Sequence, residues 1–203
     1  MSFSIQSLPA HGTPFAGGFF GGVVRDREQL LALAWAPKDE GVSRQILLPD
    51  SRKGYPLVAL SCSDSLGNTR ALAELGSPAA HWALGLRIGG FEDWALPARD
   101  VLELGYRHLK PGDYETCCSF RDGDNPSSVP PGYPYFDGQI LQTEVPDFRA
   151  GGAQAFEERW HHSSTQAGSG SAWCQGFNCG DQLTNDVSVE GAVRAVRLIP
   201  LSA

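Results

Sequence analysis

Residues able to do chemistry crowd into one stretch of the chain, from Trp160 to Asp186. His161, His162, Cys174 and Cys179 carry the nitrogen and sulfur atoms of a tetrahedral zinc site. Their spacing speaks against one, because no Cys-x-x-Cys pair is present and adjacent histidines on a strand point to opposite sides. Ser163, His161 and Asp181 supply the residue types of a hydrolytic triad, but no Gly-x-Ser-x-Gly turn presents a serine. Asn185-Asp186 offers oxygen ligands of the kind calcium takes, without a neighbouring segment to complete the shell. Gly17-Gly18 and Gly21-Gly22 lack the Gly-Lys-Ser/Thr that would make a phosphate loop. No metal, no cofactor and no catalytic residue is therefore expected. A binding surface is the better reading. Its candidate ligand contacts are His161, His162, Gln166, Ser169, Ser171, Cys174, Asn178, Cys179, Asp181, Gln182, Asn185 and Asp186. They lie between Trp160, Trp173 and Phe177, aromatic residues that read as scaffold.

Composition narrows the partners. The 203 residues carry a net charge of -7, and no run of Lys or Arg occurs. The attraction to phosphates that drives nucleic-acid binding has no source here. Only 19% of residues are charged, with 24 Gly and 14 Pro, which suggests a loop-rich fold of short elements. The length suits one domain with a sizeable core. Five cysteines, Cys62, Cys117, Cys118, Cys174 and Cys179, are an odd number at irregular spacing, so reduced thiols are expected rather than a disulfide framework. Met1 to Thr13 does not read as a signal peptide, and no apolar run approaches the ~20 residues that span a bilayer. Membrane insertion is not expected.

The elements that must position the surface can be read in outline. Residues 1–17, with Pro9, Gly12 and Pro14, read as an arm or linker that could tie the protein to a neighbouring subunit, and 18–203 as the domain. Gly17–Val24 and Leu30–Trp35, joined by Arg25-Asp26-Arg27-Glu28, suggest a β-hairpin. A helix from Asp26 to Ala34 is the alternative. Ser65–Leu75 reads as a helix capped by Asp64 or Ser65 and ended by Gly76. Ser77-Pro78 starts a second, and Arg99–Leu109, stopped by Pro111-Gly112, makes a third. Asp113–Gly138 is too long for an ordinary connection and reads as an ordered functional or packing loop. A short helix is expected at Ala153–Arg159 and a strand over Ala192–Leu198. Trp94 and Leu96, two apart, share one face of a short strand.

Two segments resemble a known family. One runs from Gly89 to Leu104 and contains Trp94-Ala95-Leu96-Pro97 followed by the helix. The other comprises Trp160-His161-His162-Ser163-Ser164-Thr165, Ala172-Trp173 and Val193-Arg194-Ala195-Val196-Arg197. Together they are similar to the bacterial and phage domain family often labelled the Lcl C-terminal domain, over about Gly17 to Pro200. The resemblance implies an α+β, C-type-lectin-like fold with short strands, about three helices and long ordered loops, related to the formylglycine-generating enzymes. It implies a receptor-binding or adhesion module on a phage tail or prophage-encoded particle, with the stretch after Trp160 facing the ligand and in some relatives diversified by retroelements. The expected partner is a host cell-surface protein or polysaccharide. Homo-oligomers are expected, with residues 1–17 meeting other virion proteins, and a location in the virion or the cytoplasm of the producing bacterium. A metal- and thiol-dependent enzyme of the formylglycine-generating type, using Cys174 and Cys179, and a purely structural virion component are the alternatives. Three features depart from the family pattern. Ala98 and Val101 stand where relatives have the Ser and Glu of a capping box, and His161-His162 stand where they have Tyr and Trp. One of Arg194 and Arg197 is expected to be buried against a carboxylate such as Asp93 or Asp100.

Overall fold

The computed structural model describes residues 3–117 and 122–202, so Cys118 lies outside the described residues. The chain forms an α+β protein in which two five-stranded sheets are joined near the C-terminus. No helix among the described residues is long and apolar enough to cross a membrane.

The expected hairpin is the centre of the first sheet. Strands β3 (Gly18–Asp26) and β4 (Gln29–Trp35) pair antiparallel around a two-residue turn, where Arg27 takes a left-handed φ of 52°. The helical alternative fails because Val24, Leu33 and Trp35 bury into a single core shared with the third long helix. A bulge between Phe20 and Gly22 makes room for that core. A Cβ on Gly21 would come 2.2 Å from the indole nitrogen of Trp35. Strand β1 (Phe3–Ser4) pairs with β10 (Val196–Ser202), and β2 (Pro14–Phe15) pairs with β3, giving the order β1-β10-β4-β3-β2. The expected arm is thus built into the sheet up to Phe15. Phe3, Leu8 and Phe15 pack on Phe20, Val23, Ala32 and Ala34, apolar surface that the hairpin would otherwise expose.

The second sheet has the order β5-β9-β6-β7-β8, from β5 (Val42–Gln45), β6 (Trp160–Gly168), β7 (Ser171–Gly176), β8 (Gln182–Asp186) and β9 (Gly191–Arg194). The terminal strand expected over Ala192–Leu198 divides at Ala195. Ala195 donates to Gly41 and accepts from Ala36, and the chain passes there from β9 in one sheet to β10 in the other.

Four helices are present among the described residues, against about three expected. The extra one is the single turn α1 (Lys38–Gly41). Helix α2 (Ser65–Glu74) is capped by Asp64, which accepts from Gly67 N at 2.7 Å, and α3 (Pro78–Gly85) by Ser77, which accepts from Ala80 N at 3.1 Å. No helix forms over Ala153–Arg159. The carbonyl and side chain of Gln154 are instead taken by the Arg194 guanidinium, at 2.7 and 3.1 Å, and the segment stays extended between bends.

Helix α4 (Arg99–Leu109) solves the problem of its missing cap through tertiary contacts. The Ala98 N–H donates to Ser65 Oγ (2.8 Å), Arg99 N–H to Thr165 Oγ1 (2.9 Å) and Asp100 N–H to the Cys62 carbonyl (2.9 Å). The amides that a local Ser and Glu would satisfy are met by α2, β6 and the segment before α2. Both arginines near the C-terminus are buried. Arg197 forks onto Asp93, as expected of one of them, and also donates to the Ala16 carbonyl. Asp100 is not the partner of either. It pairs with Arg99 and accepts from Ser127 Oγ at 2.6 Å.

Replacing Ser65 with Ala leaves a buried N–H at the head of α4 without a partner. We expect Ser65→Ala to lower the unfolding free energy by about 1–3 kcal/mol in urea titration. An unchanged midpoint would show that the cap carries no stability.

Candidate binding surface

The twelve candidate contacts divide by strand periodicity. In the β6–β7–β8 ladder, His162, Cys174 and Leu183 stand directly opposite one another, and so do His161, Gln175 and Gln182. Each row shares one face. The His161 row faces the core and the His162 row faces out, with Trp160 at its end opposite Gly176.

The inward row is structural. His161 is 1% exposed, its ring 4.2 Å from that of Phe177, and Nδ1–H donates to the Arg159 carbonyl at 3.1 Å. Burial pushes its pKa down to about 3, so it is a neutral imidazole. Gln182 accepts from Gly123 N (3.0 Å), while its own N–H donates to Asp122 (3.2 Å), and so holds the loop after α4 against the sheet. Gln175 donates to the Tyr135 hydroxyl at 3.2 Å. Gln166 does the same for the segment 56–59. It accepts from Val58 N and Ala59 N, donates to the Pro56 carbonyl, and its own N–H bonds Ala59.

His162 lies on the outer side but is covered, at 3% exposure. Its Nε2–H donates to the Val189 carbonyl at 2.9 Å, and its buried Nδ1 has no partner among the described residues. Burial lowers its pKa as well. The segment leading into β9 closes over it so tightly that a Cβ on Gly191 would meet the ring at 2.6 Å. The two histidines therefore point to opposite sides, and neither reaches a ligand. His161, His162, Gln166 and Gln182 leave the set of contacts for that reason.

Of the remaining candidates, Cys174 is buried at the floor of a shallow hollow of about 220 Å³, between Trp160, Leu183, Thr184 and Asn185. Its thiol meets the Leu183 carbonyl, and burial pushes its pKa up to about 11. Asn178, Cys179 and Asp181 gather at the β7–β8 turn. Ser169, Ser171, Asn185 and Asp186 lie at the opposite end. There Asp186 accepts from Ser51 Oγ and from Ser188, bonds that hold its carboxyl below the usual range. Trp160 and Leu183, 37% and 47% exposed, are the large apolar groups on the outside. Phe177 is core, as expected of scaffold, whereas Trp160 is part of the surface itself. The step on β8 from buried Gln182 to exposed Leu183, an apolar residue left outside, is the signal that sequence reasoning missed.

The serine, histidine and cysteine candidates for other chemistries are engaged with different partners. Ser163 Oγ donates to the Trp173 carbonyl and His161 to Arg159, so neither addresses Asp181. Cys174 sits beneath Leu183, while Cys179 lies beside Cys117, whose N–H donates to the Cys179 carbonyl. Among the described residues no group of three or more His, Cys, Asp or Glu is arranged to hold a metal ion.

A second concavity, of about 400 Å³, opens between β3, α4 and the loop 128–136. The rings of His11 and His108 stack inside it with centroids 3.7 Å apart. Burial, then the charges of His11 and Arg107, would push His108 down to about 3. Tyr133 and Phe136 stand exposed beside it. The Pro- and Tyr-rich composition of that loop was its signal in the sequence.

No known protein family, no curated protein and no solved structure matches the chain.

The buried imidazoles fix a pH dependence. Histidine in the unfolded chain titrates near ~6.5. Between that value and about 3 the unfolded state binds protons that folded His161 and His108 do not. Stability is therefore full above ~6.5 and falls as pH drops toward 3. Burial raises the pKa of Asp100 and Glu103, which works in the opposite sense, so the histidine effect is read as a difference. We expect His161→Phe to lose less stability than the unsubstituted protein between pH 7 and 5 in parallel urea melts. Equal losses would mean that His161 does not titrate on unfolding.

Proposed function

We propose that this protein is a non-catalytic binding module that presents the outer face of β6, β7 and β8 to a host cell-surface protein or polysaccharide. The observation that carries the reading is the exposed pair Trp160 and Leu183 flanking a hollow whose floor is Cys174 and whose edge is Thr184 and Asn185. Large apolar side chains exposed beside a hollow are the groups from which binding hot spots are made. The backbone beneath them is held by strand pairing on both sides of β7, so exposed side chains such as Leu183 and Thr184 can vary at little cost to the fold.

A C-type-lectin-like architecture is part of this proposal. It is supported by the pairing of β1 with β10 in one sheet, by the described residues of the long loop after α4, and by the second sheet that carries the surface. The resemblance through Trp94-x-Leu96-Pro97 and Val193-Arg194-x-Val196-Arg197 supports a place on a phage tail or prophage-encoded particle. A shallow hollow gives weak single contacts, and repetition of the module in a homo-oligomer would supply avidity.

The test uses fluorescently labelled protein on a panel of bacterial cells and on outer-membrane vesicles prepared from them. Trp160→Ala and Leu183→Asp should each cut the bound signal about tenfold or more, with unfolding midpoints close to that of the unsubstituted protein. Undiminished binding by both variants would remove this face from the function.

A further inference from the structure

Cysteine pairing in the C-terminal third fails in space, but Cys179 has another cysteine beside it. The Cys117 N–H donates to the Cys179 carbonyl at 2.9 Å. With standard backbone dimensions, a bond of that length keeps the two Cα atoms within about 6.8 Å of each other, the outer limit of the ~4.4–6.8 Å range that a disulfide spans. Both partners are backed by further bonds. Thr116 N–H donates to the Gln139 carbonyl at 2.7 Å, and Gly180 N–H to the Gly176 carbonyl at 2.8 Å. Cys117 is exposed and Cys179 half-buried, so an oxidant reaches them. Burial above all, with the charges of Asp181 and Cys117 adding to it, pushes the Cys179 thiol up. The other described thiols are elsewhere, Cys62 beside Arg99 and Asp100, Cys174 beneath Leu183.

We propose that Cys117 and Cys179 form a reversible disulfide that pins the loop following α4 to the β7–β8 turn. The oxidant is a small-molecule disulfide of the glutathione class. The Cys117 thiolate attacks one of its sulfurs and releases one thiolate. The Cys179 thiolate then attacks the Cys117 sulfur of the mixed disulfide and releases the second. The two protein thiols give up two protons and two electrons, and the small disulfide is reduced to two thiols. The bridge crosses from the base of the lobe that exposes Tyr114, Phe136 and Ile140 to the turn that carries Asn178 and Asp181. Insofar as that turn borders the binding face, which rests on the function proposed above, oxidation fixes one edge of it.

The experiment is done on the folded full chain carrying Cys118→Ser, treated with oxidised glutathione, then denatured, alkylated and mapped by mass spectrometry. The expected result is an intact mass, read before alkylation, about 2 Da below that of the reduced protein through loss of two hydrogens and, after alkylation and digestion, a cross-linked peptide pair joining Cys117 to Cys179. Adding dithiothreitol should reverse it, adding Cys117→Ser or Cys179→Ser should abolish it, and adding Cys174→Ser should leave it intact. Persistence of both thiols under oxidation, or pairing of Cys179 with any other cysteine, overturns the proposal. The mapping needs no ligand, so its failure is separate from any failure of the cell-binding test.

Discussion

The guanidinium of Arg194 is buried where the two sheets meet, and among the described residues no carboxylate pairs with it. Three acceptors replace one: the Ala36 carbonyl at 2.8 Å, and the carbonyl and side-chain oxygen of Gln154. The cation also stands over the rings of Phe156 and Phe148, at 4.5 and 5.2 Å from their centroids. Burial lowers its pKa to about 9, which leaves it charged at neutral pH. A buried cation without such partners would be untenable, so the segments that supply them are held in place by its demand. Those segments are the end of the hairpin, the stretch before β6 and the crossing at Ala195. Arg197, three residues on, extends the arrangement by joining Asp93 and the Ala16 carbonyl to the other sheet.

Beyond this junction, most polar side chains between His161 and Gln166 serve the interior. Thr165 caps α4 and donates to the Ser61 carbonyl, Ser163 donates within the ladder, and Gln166 holds an otherwise unpaired segment. Buried polar groups are tolerable when each finds a partner, and this strand supplies partners to elements that lack regular pairing. The surface is left to the residues that alternation turns outward, Trp160 and Leu183, and to the two turns at the ends of the strand pair.

The long loop after α4 follows the same logic. Arg107 donates to the carbonyls of Gly123 and Tyr133, and Asn125 donates to the Asp100 carbonyl and to Glu103. Glu103 in turn accepts from Arg107 at 2.7 Å and from Tyr135 at 2.6 Å. Helix α4 thus acts as the frame for a loop with little secondary structure of its own. Its described polar groups are satisfied partly by the helix and partly by one another, as in the paired backbone bonds between Asn125 and Gly132.

The sequence by itself determined the local elements. The hairpin, the three longer helices with the caps of α2 and α3, and the opposite orientation of His161 and His162 follow from periodicity and from residues with strong conformational preferences. It also marked one of Arg194 and Arg197 as buried against a carboxylate such as Asp93 or Asp100, which Arg197 and Asp93 fulfil, whereas the burial of Arg194 without a carboxylate was not foreseen. It misjudged residues 1–17, because strands of two residues carry no periodicity and are stabilised only by the hairpin they cover. It expected a helix at Ala153–Arg159, because nothing local signals that Arg194 would take the Gln154 carbonyl. Polar side chains in the C-terminal third read alike whether they face a ligand or clamp a loop. Only the tertiary structure could sort them, since the choice depends on which distant backbone groups, such as those of Ala59, Gly123 and Val189, lack a partner until these side chains provide one.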